Sequence, residues 1–192
     1  MKRNKEKIRE LVGLAMLSTL IVALQAISNY IPFGPVSITL ALIPIVVGSI
    51  IYGPKGGLIL GTVMGIMVCF APSTMALFMP YSVMLTIIVC LVKSAVAGLV
   101  AGYIFKFLSK KNRFLAIVLA SISVPLVNTG LFTVACYTLF LPLIKTLASA
   151  EAASVTAFLF LTMIGLNFLI EFATNSILSP IVVKIVDLYK KK

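Results

Sequence analysis

The sequence has no tryptophan and no histidine, and only five acidic residues among 192. Without histidine it lacks the commonest acid–base and metal-ligating side chain. Charged residues make up 11% of the chain, against about 25% in an ordinary soluble domain. Hydrophobic residues make up 61%, and the mean hydropathy is +1.17. A cytosolic globule is excluded by that balance, and intrinsic disorder by the hydrophobicity. Cysteine is scarce too. Cys69, Cys90 and Cys136 sit in or beside apolar stretches with no CxxC spacing, so they read as small buried hydrophobes rather than a disulfide framework or zinc site. What remains is an integral membrane protein.

What the chain does have is lysine and arginine, sixteen of them, for a net charge of +11. In a soluble protein that excess would suggest nucleic acid. Here it has the form of a cytoplasmic loop bias, and no nucleic-acid partner is expected. At about 20 residues per span, the length allows about six helices and no second, soluble domain. Apolar runs and their Gly/Pro breaks draw spans at 11–30, 37–53, 56–71, 81–107, 114–141 and 155–188, in a single transmembrane domain over residues 1–192. With the N-terminus inside, one side holds Lys2, Arg3, Lys5, Lys7, Arg9, Lys55, Lys106, Lys110, Lys111, Arg113, Lys184 and Lys190 to Lys192, fourteen of the sixteen basic residues. The other side holds Lys145, and Lys93 lies within a span. The positive-inside rule therefore predicts an all-α, six-helix protein of the cell membrane with both termini cytoplasmic. The start, MKRNKEKIRE before an apolar run from Leu11, has the outline of a signal peptide with a poor cleavage site at Ala23 and Ala26. The topology works better with that segment kept as the first helix.

In lipid, helices associate through small residues that permit close approach. Gly57, Gly61 and Gly65 follow at intervals of four on the third span, and Ser94, Gly98 and Gly102 do so on the fourth. Ala15, Thr19 and Ala23 form a third stripe on the first span. Packing inside one bundle accounts for such stripes. A surface for a partner protein is the other reading, and the first helix is the candidate for it.

Polar side chains at bilayer depth are costly and face an interior cavity or a partner. Lys93 lies in the fourth span and Asn128 in the fifth, just after Pro125. Asn167, Glu171 and Asn175, spaced i, i+4, i+8, share one face of the sixth. By helical rise Lys93, Asn128 and Glu171 fall near mid-membrane, with Tyr81, Thr133 and Tyr137 above them toward the outside. Two readings stand open: a structural Lys93–Glu171 ion pair flanked by asparagines, or the polar floor of an outward-opening pocket for a small hydrophilic molecule. Gln25 and Asn29, near the outer end of the first helix, read as interfacial. No GxSxG, HExxH, paired intramembrane aspartates or P-loop is present. The chain is therefore expected to be no enzyme, with no catalytic residue, no metal ligand and no cofactor. Any ATP-driven work must come from another polypeptide.

The stretch VSITLALIPIVVGSIIYGPKGGLILGTVMGIM (Val36–Met67) resembles the substrate-binding S component of energy-coupling-factor (ECF) vitamin transporters, with its x-GP-x-GG turn leading into a Gly-rich third span. VPLVNTGLF (Val124–Phe132) and NFLIEFATNSILSPIVVKIV (Asn167–Val186) are similar to the fifth and sixth spans of the same group. The resemblance implies an ECF S-component-like bundle with a vitamin pocket built from the last three spans. It places Lys93, Asn128, Asn167, Glu171 and Asn175 around the ligand, and Asn29 to Ser37, including Tyr30 and Phe33, as the lid. It also implies that Ala15, Thr19 and Ala23 dock a membrane coupling (T) subunit, although Thr19 departs from the usual Ala at the centre of that stripe. The ligand would then pass inward with the help of two cytoplasmic ATPase subunits.

The absence of Trp argues against a thiamin-type member, and the Gly-rich signatures of biotin-type members are not evident. The sequence sits closer to the riboflavin/pantothenate-like branch. A buried Lys93 with several asparagines suits pantothenate, a small anion with an amide and two hydroxyls. If Glu171 neutralises Lys93, a neutral ligand such as riboflavin fits instead. A structural scaffold subunit without a ligand is the alternative from another class. A stand-alone ion-coupled carrier is disfavoured, since no internal repeat is visible.

Overall fold

A computed structural model describes residues 2–29, 32–33, 36–37, 41–151 and 154–190. In chain order the elements are α1 (Lys2–Ser28), β1 (Pro32–Phe33), β2 (Val36–Ser37), α2 (Leu42–Ile51), α3 (Gly53–Cys69), α4 (Pro72–Leu77), α5 (Val83–Leu108), α6 (Arg113–Thr138), α7 (Leu141–Ala150), α8 (Val155–Ala157), a π-helical turn Phe158–Met163 and α9 (Gly165–Lys190). Among the described residues the elements are helical apart from β1 and β2, which pair antiparallel with Phe33 opposite Val36 and Pro32 opposite Ser37. Among the described residues, three helices are long and apolar enough to cross a membrane: Asn4–Ser28, Val83–Leu108 and Arg113–Thr138. The pair Leu141–Ala150 and Val155–Met163, bent by 95°, makes a fourth if counted as one span.

Helix boundaries follow local chemistry. Asn112, inside the polar SKKNR segment, caps α6 by accepting the Leu115 N–H at 3.0 Å, as short polar side chains do at helix starts. Tyr52 alone separates α2 from α3, and Gly53 takes the left-handed backbone at φ 73° that the turn requires. Among the described residues of the expected span over 37–53, helix runs over Leu42–Ile51 before α3 begins at Gly53. Ten residues reach about 15 Å, half of the roughly 30 Å hydrocarbon layer. Eight of those ten residues are buried, as befits a helix apolar on every side. The expected span over 155–188 is interrupted. Ile164 N–H bonds the Leu159 carbonyl at 2.8 Å, five residues back, so the chain widens into a π turn before α9 begins. At that break a side chain on Gly165 would run into the Phe160 carbonyl.

The central seam joins α3 to α5, and the two small-residue stripes meet across it. A β-carbon added to Gly57 would strike the Gly98 carbonyl, and one added to Gly98 would strike Gly57 in return. At Gly61 it would meet Ser94, and at Gly65 the Cys90 carbonyl at 2.7 Å. Ser49 on α2 secures the same seam, its Oγ lying 2.7 Å from the Ile45 carbonyl and 3.0 Å from that of Gly98. Around this seam α1, α6 and α9 complete the bundle. A second apolar cluster gathers Phe78, Phe140, Ile144, Phe158 and Leu159 at one end.

Candidate functional site

That end of the bundle holds a small cavity of about 40 Å³. Its lining comes from five helices and three connections: Gln25 of α1, Val68 of α3, Ser73 and Thr74 of α4, Thr86, Val89, Cys90 and Lys93 of α5 and Phe132 of α6, with Ala71, Phe78 and Phe140 from the connections between helices. Each contributes from the same end, the last turns of α1, α3 and α6 and the first half of α5. Lys55, Lys106 and Arg113 sit at the other ends of these helices. The cavity therefore lies opposite these basic helix ends.

Lys93 is the cavity's cation. Its ammonium sits 4.8 Å from the centre of the Phe132 ring, a cation–π arrangement that holds the charge without neutralising it. Among the described residues Lys93 forms no ion pair, so the Lys93–Glu171 bridge considered from the sequence is not made. Phe78 orders the aromatic wall, with ring centres 5.6 Å from Phe132 and 5.1 Å from Phe140, both edge-to-face. Thr86 Oγ1 donates to the Ser82 carbonyl at 2.7 Å, which leaves its oxygen able to accept.

Gln25 is placed differently from its interfacial expectation. It is only 1% exposed and lines the cavity. Its Nε2 donates to Asn29 Oδ1 at 3.3 Å, while its buried Oε1 has no hydrogen-bond partner among the described residues.

The remaining residues singled out from the sequence lie around or away from this cavity. Asn128 is buried on α6 with Ser94 Oγ 3.4 Å from its Oδ1. Asn167 and Asn175 are buried on α9, and their amides donate back along the helix, to the Met163 carbonyl at 3.3 Å and the Glu171 carbonyl at 2.9 Å. Glu171 is buried between them. None of these four lines this cavity, whose walls come from α1, α3, α4, α5 and α6, so that two of the last three spans contribute to it and α9 does not. Thr133 bonds its own helix at the Thr129 carbonyl, and Tyr137 donates to Thr156 Oγ1 at 3.2 Å. Tyr81 is exposed, its ring edge-to-face with Phe140 at 5.9 Å.

Of the lid residues, Asn29 closes α1, Phe33 and Ser37 belong to β1 and β2, and Tyr30 lies outside the described residues. Ala15, Thr19 and Ala23 are all exposed on α1, the Thr19 hydroxyl being held by the Ala15 carbonyl at 3.0 Å. Sequence reasoning had not singled out Ser73, Thr74 or the phenylalanine wall. A Pro-Ser-Thr start after the third span was their one visible signal.

No group of three or more His, Cys, Asp or Glu side chains able to hold a metal occurs among the described residues. Residues 9–183 match the model of one protein family, described as ECF transporter, substrate-specific component. No curated protein and no solved structure matches the chain.

Proposed function

The chain belongs to the family of ECF transporter substrate-specific components, and on that premise we propose that it captures a small anionic vitamin, pantothenate foremost, from the outer side of the cell membrane. Members of this family are membrane subunits that bind a small-molecule substrate and work with T and ATPase subunits. They are transport subunits, not enzymes. In the proposed arrangement α1, α2, α3, α5, α6 and α9 supply six membrane segments, and both termini face the cytoplasm. The position of the cavity opposite the basic helix ends supports that orientation. The exposed stripe of Ala15, Thr19 and Ala23 is the proposed docking face for the T subunit, through which two ATPases drive transport.

One observation carries the ligand class: the Lys93 ammonium lies at a cavity wall over an aromatic ring, with no carboxylate paired to it among the described residues. A carboxylate ligand supplies the missing anion, and the surrounding hydroxyls and Gln25 suit amide and hydroxyl groups. The cavity itself has room for only about 40 Å³, well below the usual 300–1,000 Å³ of small-molecule sites, so in this reading the surrounding helices part to admit the ligand. Riboflavin, which is neutral, would leave the ammonium without a counter-charge.

Protein purified in mild detergent is expected to retain pantothenate by native mass spectrometry and to bind it in calorimetric titration. Lys93→Met should weaken pantothenate about ten- to hundredfold, the worth of a charge-assisted hydrogen bond, and leave riboflavin unaffected. Retention of riboflavin alone, or equal small losses for both ligands, overturns the assignment of Lys93. No ligand at all, with loss of folded protein in Lys93→Met, favours the scaffold reading.

A further inference from the structure

The cavity has a second polar pole that the lysine does not explain. Among the described lining residues, Gln25 Oε1 is a buried side-chain oxygen with no hydrogen-bond partner. An unpartnered buried carbonyl is destabilising unless something meets it. Its sister atom Nε2 is engaged by Asn29 Oδ1, and the Asn29 N–H in turn bonds the Gln25 carbonyl at 3.0 Å. The amide is thus turned so that its nitrogen faces the end of α1 and its oxygen is left over. Neighbouring hydroxyls do not meet that need: Thr86 directs its proton to the Ser82 carbonyl.

We propose that Gln25 is a specificity-determining residue of the cavity, its Oε1 accepting a hydrogen bond from an O–H or N–H of the ligand while Asn29 fixes the amide's orientation. The inference rests on reading the cavity as the ligand site. It adds a requirement that Lys93 cannot impose, since a lysine recognises only an acceptor or an anion. The ligand must carry a donor as well as its carboxylate. Molecules offering only acceptors at that position, such as ethers or ketones, leave two oxygens facing each other and are rejected. Because the oxygen is already out of water, a matching donor gains its bond without first stripping solvent from the protein side.

The test uses the full chain in detergent with pantothenate and three analogues, two lacking one hydroxyl each and one methylated at the amide nitrogen. On the wild type, one analogue should bind about ten- to hundredfold more weakly than pantothenate. Gln25→Met should lower pantothenate affinity by a similar factor and lose discrimination against that analogue, so the two changes are not additive. Gln25→Glu keeps an acceptor and should keep the discrimination, although its charge weakens every carboxylate ligand. A purely structural Gln25 would change stability without altering the ratio between ligands. Unchanged discrimination in folded Gln25→Met overturns the proposal. If that variant does not fold, equal binding of all three analogues by the wild type overturns it, and retained discrimination in Gln25→Glu supports it. Failure of the wild type to bind pantothenate removes the functional reading itself, and this inference with it.

Discussion

Gly61→Ala offers the sharpest test of the α3–α5 seam. The added methyl would sit 2.8 Å from the Ser94 carbonyl carbon and 2.9 Å from Ala95 Cα. Carbon atoms pack at about 3.5–4.0 Å, so the helices must separate by more than about half an ångström. Neither neighbour is a flexible side-chain tip that can rotate aside; both are helix backbone. Overpacking of this kind costs about 1–3 kcal/mol. Separation also draws Gly98 away from Ser49 Oγ, now 3.0 Å from its carbonyl, at a further cost of about 1 kcal/mol. The expected loss is about 2–4 kcal/mol, a large share of a typical 5–15 kcal/mol. Gly130→Ala is the internal control, because nothing lies within 4 Å of a β-carbon there. In that helix interior it should be neutral or stabilising by up to about 1 kcal/mol. Both variants would be unfolded in detergent and followed by circular dichroism. Equal stability of the two would refute the close-packed seam.

Ala15→Leu, on the exposed face of α1, should leave folding and ligand affinity unchanged while abolishing co-purification with the T subunit; retained co-purification places that interface elsewhere. Asn112→Ala removes the cap on Leu115 N–H and should lower stability by about 1 kcal/mol, read as a lower midpoint in the same unfolding assay without change in ligand affinity.

The parts of the architecture that were legible in the sequence are those encoded by local spacing. Gly57, Gly61 and Gly65 on one span and Ser94, Gly98 and Gly102 on another announce close approach, because little except a neighbouring helix backbone rewards a row of missing side chains. The structure brings these two rows together. Level along a helix was calculable, since rise per residue is fixed. Direction around the helix axis was not. A soluble helix shows its inner face as an apolar stripe, but a helix apolar on every side has no such stripe to read. Gln25 was therefore placed at a level and not on a face, and it turned out to point inward. The six-residue α4, which supplies Ser73 and Thr74 to the cavity, is too short to show a period at all.

Polarity at membrane depth therefore selects residues more broadly than a binding site does. Asn167, Glu171 and Asn175 have the spacing of one helix face, yet both asparagines turn their amide protons onto carbonyls one turn back. A side chain can direct its donor in that way with no ligand at all, as serines and threonines also do here. What separates a cavity wall from helix-internal satisfaction is hydrogen-bonding or charge capacity that the protein leaves unmet. By that criterion the strongest pair among the described residues is Lys93, a cation over a phenyl ring with no ion pair there, and Gln25, with a carbonyl oxygen that none of them meets. They come from the fifth and first helices, one of opposite need to the other. A ligand bearing both an anion and a donor satisfies the two together, and a ligand with either alone leaves one of them unmet.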